Sequence, residues 1–242
     1  MRPAERRSRE AARRGVAILT VVLVTMLLSS LALVLTLTAT FETRAAANFL
    51  GASQALLAAD AGVERALPDL GGTGNWTSVL DGSSASSFTD GAAGPRTLAD
   101  GRSIDLIDIV NQAACGHSAP CSASEVSAVT VARPWGPNNP RWRVYMSGRL
   151  DALTPGGYAR PSCYLVVLVA DDPSETDGDP LQDGGGGGQG PGAGILMVRS
   201  EAFCGGGAHK VVEATVSRAG APSPVASEVR LVVWREIREP GS

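Results

Sequence analysis

The longest uninterrupted apolar stretch of the chain lies near its N-terminus. It runs from Val16 to Phe41, 26 residues without a charge, of which 19 are apolar and the others are Thr or Ser. A helix of that length reaches ~39 Å, more than the ~30 Å hydrocarbon core of a bilayer. It also exceeds the ~7–15 apolar residues of a cleavable signal peptide. The run therefore predicts a transmembrane helix, with a buried core helix as the alternative.

The helical pattern continues beyond the apolar run. Pro68 and the pair Gly71-Gly72 are expected to end it, because proline cannot donate to the helix ladder and glycine allows a turn. The pattern predicts one helix from Val16 to about Leu67, with a transmembrane half over 16–41 and an amphipathic half over 42–70. The amphipathic half shows apolar residues at alternating steps of three and four, which form one stripe: Phe49, Ala52, Leu56, Ala59, Val63, Ala66 and Leu70.

In residues 71–242 the helical repeat gives way to segments typical of short strands, which predict a mainly β head. An irregular connection over 71–103 and a short helix over Ser103–Ala114 are expected first. A long helix packed by its amphipathic half on an antiparallel sheet is an α+β fold, which is the class predicted here. Segments rich in Val, Tyr, Trp or Thr and separated by Pro and Gly predict six strands: Val126–Arg133, Arg141–Leu150, Tyr158–Ala170, Gly194–Phe203, His209–Arg218 and Glu228–Arg238.

Charge is divided unevenly along the chain. Residues 1–15 carry six arginines against two glutamates, a balance of +4, so the formal net charge of −3 leaves −7 for the other 227 residues. Because the arginines precede the apolar run, the positive-inside rule keeps residues 1–15 in the cytoplasm and places 42–242 outside. The acidic body has no Lys/Arg stripe to replace phosphate counterions, so no nucleic-acid partner is expected.

Four cysteines, Cys115, Cys121, Cys163 and Cys204, lie on the side assigned to the outside. An even number in an oxidising compartment predicts two disulfides. Three connectivities are possible, and the favoured one pairs Cys115 with Cys121 and Cys163 with Cys204. A zinc site formed by Cys115, His117, Cys121 and another cysteine is the alternative.

An acidic run precedes a glycine-rich stretch within residues 171–194. Calcium takes six to eight oxygen ligands, so a turn-rich loop dense in carboxylates is a candidate calcium site, although the spacing does not fit an EF-hand. A solvated acidic loop that leads into a flexible glycine linker is the alternative. The candidate ligands are Asp171, Asp172, Glu175, Asp177, Asp179 and Asp183.

Motifs of enzymes are not found. The two histidines, His117 and His209, lie in no nucleophile or metalloprotease signature, and His209 is interpreted as an ordinary surface residue. Gly184–Gly188 lacks the Lys-Ser/Thr ending of a phosphate-binding loop. The sequence therefore predicts a protein that is not an enzyme.

The N-terminal region, over roughly residues 10–70, resembles that of PilX-type minor pilins of type IV pili. The K-type minor pseudopilin of type II secretion is a relative of that family. The most specific part of this resemblance is the start of the region, where a basic pair and a glycine precede the apolar run. The later Ala-Ala-Asp-Ala-Gly-Val-Glu element is the other specific part. The segments that carry the resemblance are Arg13-Arg14-Gly15-Val16-Ala17-Ile18-Leu19, Phe41-Glu42-Thr43-Arg44-Ala45-Ala46-Ala47-Asn48-Phe49 and Ala58-Ala59-Asp60-Ala61-Gly62-Val63-Glu64-Arg65-Ala66-Leu67.

The resemblance implies a maturation pathway and a set of partners. Prepilin peptidase would remove residues 1–15 as a leader peptide by cutting between Gly15 and Val16, and would methylate the new N-terminus. The mature helix would hold the chain in the bacterial inner membrane, in contact with lipid, with the head in the periplasm. An inner-membrane assembly platform would then bring it against other pilins or pseudopilins. K-type pseudopilins bind calcium, which strengthens the candidate site in the acidic loop.

One residue departs from the pattern of major pilins, which carry a glutamate at the fifth position of the mature chain. Here that position is Thr20. A carboxylate in an apolar filament core is costly unless it is paired. In pilins its partner is the terminal amine of the subunit assembled before it. Thr20 therefore favours a minor, initiating or tip-proximal subunit over a bulk subunit. An equal alternative is that the residue at this position varies among PilX-like subunits without a change of role.

The sequence thus predicts a minor pilin-like structural subunit that is assembled into a type IV pilus or initiates one. A K-type tip pseudopilin of a type II secretion system is the first alternative. A permanently membrane-anchored protein that binds calcium or another ligand is the second.

Overall fold

The computed structural model describes residues 3–153, 162–175, 178–184, 192–218 and 228–237, with side chains from Val16 onward. The chain divides into two compact units, Met1–Leu50 and Gly51–Ser242. Helix α1, Pro3–Gly72, makes up the first unit and enters the second, where the other large element is a five-stranded antiparallel sheet. The α+β class predicted from the sequence is confirmed.

Helix α1 (Pro3–Gly72) is longer at both ends than the predicted Val16 to about Leu67. Pro68 lies inside the helix and does not end it, whereas the predicted end at the Gly71-Gly72 pair is confirmed. Proline removes one hydrogen bond, to the carbonyl four residues earlier. Pro68 and Glu64 are both exposed, so water can satisfy the carbonyl of Glu64. Leu70 is fully buried, and its carbonyl accepts a hydrogen bond from the Trp76 indole at 3.0 Å. Tertiary contacts of the last turn therefore carry the helix past the proline.

The side of α1 that is buried in the second unit consists mostly of small residues. The predicted stripe is confirmed from Ala59 onward, whereas Phe49 is 73% exposed. At Gly62 the helix comes close to the sheet, because an added Cβ would overlap Ser200 Oγ and lie 3.2 Å from Val167 Cγ2. Small side chains thus permit the short distance between helix and sheet. The buried positions of this face are Ala55, Ala58, Ala59, Gly62, Val63, Ala66 and Leu70.

Seven strands and four further α-helices follow α1 in the described part of the chain. Two short strands pair with each other, and the other five form the main sheet in the order β3-β4-β5-β6-β7, with every neighbouring pair antiparallel. The elements are α2 (Thr77–Leu80), β1 (Pro95–Thr97), β2 (Ser103–Asp105), α3 (Leu106–Cys115), α4 (Ala123–Val126), β3 (Arg143–Arg149), α5 (Leu150–Leu153), β4 (Tyr164–Asp171), β5 (Ile195–Phe203), β6 (His209–Arg218) and β7 (Val229–Ile237).

Five of the six predicted strands match β3 to β7, and residues 158–161 of one prediction lie outside the described residues. The predicted strand Val126–Arg133 is wrong. Helix α4 and an irregular segment occupy this region, and Val131 is completely exposed. The fully buried Asn139 donates its amide group to the carbonyls of Val126 and Ala128, at 3.0 and 2.9 Å. These carbonyls therefore bind a side chain instead of a neighbouring strand, which overrides the β propensity of the valines.

The second face of the sheet is covered by α3, which the sequence predicted only as a short helix. Asp105 caps its start by accepting a hydrogen bond from the Ile107 N–H at 2.8 Å. Leu106, Ile109 and Ala114 then join Trp142 and the second-face residues of β4 in one apolar cluster. All eight residues of β4 are buried as a result. This double burial explains why β4 is an unbroken apolar run instead of an alternating one.

Two disulfides stabilise the second unit. Cys163–Cys204 joins the residue before β4 to the residue after β5, with a Cα–Cα distance of 4.2 Å. Cys115–Cys121 closes the loop that follows α3, with a Cα–Cα distance of 6.2 Å. This is the connectivity that the sequence favoured. The zinc alternative is contradicted, because its thiolates are joined in a disulfide.

Removal of the two disulfides is expected to have unequal effects. Replacing Cys163 and Cys204 with alanine should lower the free energy of unfolding by about 4 kcal/mol, against about 2 kcal/mol for Cys115 and Cys121, because a longer closed loop restricts the unfolded chain more. The sequence separations are 41 and 6 residues. Denaturant unfolding of the full chain in detergent micelles, followed by tryptophan fluorescence, measures both losses. A greater loss for the short loop would contradict this explanation.

Candidate functional site

The N-terminal part of α1 has an exposed apolar surface. Every residue from Val16 to Leu50 is exposed, and the mean hydropathy of its most apolar 18-residue window is 2.7. Within the described ranges, α1 is the one helix long and apolar enough to cross a membrane. The coarse prediction of a single-pass membrane anchor is therefore supported.

Hydroxyl groups interrupt this apolar surface, and all of them except that of Ser29 donate a hydrogen bond within the helix. Each of seven Thr or Ser side chains donates to a backbone carbonyl three or four residues earlier, at 2.8–3.0 Å. Such internal bonds reduce the cost of placing a hydroxyl in hydrocarbon or in an apolar protein interior. The donors are Thr20, Thr25, Ser30, Thr36, Thr38, Thr40 and Thr43.

Small residues follow one line along the exposed helix. Their spacing alternates between four and three, which is the period of a left-handed helix–helix contact. Small side chains on such a line let two membrane helices approach closely. Larger residues such as Leu27, Leu31 and Val34 lie on the opposite side. Sequence reasoning overlooked this small-residue line, although its alternating spacing is visible in Thr25, Ser29, Ala32, Thr36, Ala39, Thr43 and Ala46.

The predicted processing site lies inside α1. The helix runs without interruption from Pro3 through Gly15 and Val16, and Val16 is 64% exposed. A peptidase must unwind a helix locally to reach a peptide bond. Glycine lowers that cost, since it is ~1 kcal/mol less favourable than alanine in a helix interior. Gly15 is thus a favourable place for local unwinding.

The acidic loop between β4 and β5 is built into the head. Glu175 is buried, and its carboxylate accepts the Gly184 N–H at 3.1 and 3.2 Å. Asp183 is buried as well and accepts the Gly194 N–H at 2.6 Å. Burial raises the pKa of Asp183. The alternative of a wholly solvated acidic loop is therefore contradicted for these two carboxylates.

Two of the other candidate calcium ligands, Asp172 and Asp179, also have partners within the protein. Asp171 is buried at the end of β4. Asp172 accepts hydrogen bonds from Ser174, and Asp179 accepts them from Leu181 and Gln182. Asp177 lies outside the described residues. Among the described residues no group of three His, Cys, Asp or Glu side chains could hold a metal ion. The calcium site, which includes Asp177, stays a prediction.

Arg218, at the end of β6, anchors this loop to the end of α1. Its guanidinium lies over the Trp76 ring, 4.3 Å from the centroid. One nitrogen donates to the Gly74 carbonyl at 2.8 Å, and another is 3.5 Å from Asp183 Oδ2. The helix end, the loop and the sheet are therefore coupled through one buried cation.

A buried charge cluster on the second face of the sheet was not predicted. Arg199 bonds to Glu201 at 2.7 Å and to Glu213 at 3.1 Å, and Arg235 also bonds to Glu213. His209 bonds to Glu201 at 3.0 Å and stacks on a neighbouring ring, so the interpretation of it as an ordinary surface residue is wrong. Burial would raise the pKa of Glu201, but the bond from His209 and the charge of Arg199 lower it overall. The Arg-x-Glu spacing in β5 was the sequence signal from which this charge cluster could have been predicted.

Two grooves lie beside α3, with volumes of about 680 and 750 Å³. Trp142 lines both. The larger one also contacts the buried charge cluster through Arg199 and Glu213. These grooves are two concave surfaces of the head that could receive a ligand or a partner segment.

No family model, no curated protein and no solved structure matches this chain. The residues and their geometry therefore carry the functional proposal.

Proposed function

We propose that this chain is a minor pilin-like structural subunit that prepilin peptidase trims between Gly15 and Val16 before assembly into a type IV pilus. The observation that carries the proposal is the division of α1. Over Val16–Leu50 the helix is exposed and apolar, whereas from Ala55 to Leu70 it supplies the packing face of the α+β head. This arrangement is consistent with a pilin-like fold.

Such a helix suits two successive environments. In the membrane its apolar side chains contact lipid, and most of its hydroxyls are already bonded to its own backbone. In a filament the small-residue line would let the helices of neighbouring subunits approach closely. Transfer from the membrane to the filament moves the helix from one apolar environment to another, so the helix is in water in neither state.

Thr20 supports a position at or near the start of assembly. Its hydroxyl donates to the Val16 carbonyl at 2.9 Å, so it needs no partner from another subunit. A subunit with nothing assembled before it has no preceding amine to meet a carboxylate at this position. The same observation favours the alternative of a K-type tip pseudopilin. The calcium site expected for that alternative receives no support from the described carboxylates.

The proposed location is the bacterial inner membrane, with the N-terminus in the cytoplasm and the head in the periplasm. The arginines of residues 1–15 favour this orientation. The two disulfides of the head are also typical of an oxidising compartment outside the cytoplasm. After assembly the head would be displayed on a pilus or pseudopilus.

A second candidate is a permanently anchored protein that binds a ligand through its head. The specific observation in its favour is the pair of grooves that share Trp142. This candidate retains the same membrane helix but requires neither cleavage nor extraction from the bilayer. Processing of the N-terminus therefore distinguishes the two.

Mass spectrometry of the N-terminal peptide from native membranes tests the proposal. We expect an N-methylated Val16 terminus in the wild type and an intact leader in most of the Gly15→Ala variant. Gly51→Ala is the matched control, because it makes the same change in the same helix away from the cut. An uncut Met1 terminus in the wild type would reject processing and favour the permanently anchored protein.

A further inference from the structure

Strand β7 forms an open edge of the main sheet. It pairs with β6 on one side, and no strand of the described part of the chain pairs with its other side. The opposite edge is closed, because the backbone groups of Ser86, Phe88 and Asp90 form hydrogen bonds with β3 at 3.1–3.2 Å. An open edge presents backbone N–H and C=O groups that another extended segment can satisfy.

The middle of β7 is apolar on both faces of the sheet. Its uncharged run, 231–234, consists of residues that are each 41–58% exposed. Leu231 and Trp234 lie on the face toward α1, where the Trp234 indole donates to Asp60 Oδ1 at 2.9 Å, and Val233 lies on the second face. A strand that is apolar on both faces is typical of the buried interior of a sheet, as β4 is here. The composition of β7 therefore fits a strand that has a neighbour on each side.

Arginines flank the apolar run of β7 at both ends. Arg230 and Arg235 each bind one carboxylate of this chain, at 2.9 and 2.6 Å, yet their side chains remain 65% and 60% exposed. A second copy of β7, paired antiparallel about the centre of the run, would place Arg230 opposite Arg235 twice. Like charges directly opposite each other are destabilising, whereas opposite charges are favourable. The flanking arginines therefore favour a partner strand with acidic ends over a second copy of this chain.

We propose that β7 receives an extended segment of a partner protein as a sixth strand of the main sheet. The segment has a short uncharged apolar core with a carboxylate on each side. Its backbone pairs with the open edge, and its apolar side chains cover Trp234 on one face and Val233 on the other. Its carboxylates lie opposite Arg230 and Arg235. In this mode of binding the main chain supplies affinity and the alternating side chains supply specificity. The proposal depends neither on processing at Gly15 nor on filament assembly.

The test measures hydrogen exchange of the β7 amides by mass spectrometry, on the full chain in lipid nanodiscs. The first probe is the peptide acetyl-Glu-Val-Ile-Val-Val-Glu-amide. The second has the same side chains but carries N-methyl groups on its two central residues, whose N–H groups point to opposite edges of a strand. The third has lysine in place of both glutamates. We expect the first probe to slow exchange in β7, the second to have no effect, and the third to bind at least about threefold more weakly than the first.

A charged substitution in β7 tests whether the probe binds at this edge. Val233→Lys should weaken binding of the first probe at least about tenfold, because lysine on an edge strand opposes the addition of another strand. Val129→Lys makes the same change at an exposed valine outside the sheet and should leave binding unaltered. Unchanged exchange in β4 reports that the head stays folded in both variants.

Three outcomes would overturn the proposal. The first is an absence of protection of β7 by the unmodified probe. The second is equal protection by the N-methylated probe, which would indicate apolar contact without strand pairing. The third is protection of β7 that rises with the concentration of the chain alone, which would replace the partner by a second copy.

Discussion

Replacing Thr36 with leucine is expected to remove most of the chain from assembled filaments while leaving its membrane insertion intact. Thr36 lies in the middle of the small-residue line, where a larger side chain would push two helix axes apart. Leucine favours insertion into the bilayer, so the monomer should remain anchored. The measurement is the amount of chain in sheared filaments from the native host, relative to the amount in the membrane. We expect a decrease of about tenfold or more, which corresponds to only ~1.4 kcal/mol of lost contact energy.

Thr38→Leu is the matched control for this experiment. Thr38 has the same side chain and makes the same type of hydrogen bond to the carbonyl four residues earlier, but it projects to the opposite side of the helix. Its substitution should change hydrophobicity equally without widening the contact along the small-residue line. If both variants assembled equally well, the line would not be a contact between subunits. If both failed equally, the loss would arise from hydroxyl removal or hydrophobicity and not from helix spacing.

The second large effect is expected at Gly62, in the half of α1 that packs on the sheet. Gly62→Ala should lower the free energy of unfolding of the head by about 2 kcal/mol, because the added methyl group overpacks a filled interface. The atoms it would meet, Ser200 Oγ and Val167 Cγ2, belong to buried residues of β5 and β4. Denaturant unfolding of the full chain in micelles, monitored through Trp76 fluorescence, measures the change.

Gly51→Ala separates this packing effect from helix propensity. Both substitutions exchange glycine for alanine in α1, which alone favours the helix by up to ~1 kcal/mol. The Cβ at position 51 would lie 3.4 Å from Ala208 Cβ, an ordinary contact. We therefore expect Gly51→Ala to be neutral or slightly stabilising. An equally stabilising Gly62→Ala would show that the helix and sheet do not approach as closely as the structure indicates.

The long N-terminal helix and most of the sheet were predictable because their signals are local. The apolar run and the stripe from Ala59 to Leu70 repeat over many residues, and five strand segments keep their β-branched composition between Pro and Gly punctuation. The wrong predictions concern short segments whose backbone has a better partner elsewhere. Val126–Arg133 is not a strand because Asn139 binds its first carbonyls. Pro68 does not end α1 because Leu70 is held in the core.

The same distinction between local signals and distant contacts applies to the candidate sites. The pairing of the cysteines was favoured correctly from spacing and strand position. The calcium site stays a prediction that rests on the number of carboxylates in the acidic loop, and composition does not reveal where each carboxylate points. Asp183 turns toward Arg218, which is 35 positions later in the chain, and Glu175 binds the backbone of Gly184. Such pairings depend on distant residues and were invisible in the linear pattern.

The sequence by itself determined that this protein has one long apolar helix, an acidic β-rich head and two disulfides. These properties follow from hydrophobic length, alternation and cysteine number, each of which is encoded over neighbouring residues. Only the tertiary structure decided that Gly62 sets the distance between helix and sheet, that α3 closes the second face, and that Arg218 couples the acidic loop to Trp76. Those features arise where residues far apart in sequence meet, so their energies depend on burial and partners that no local pattern contains.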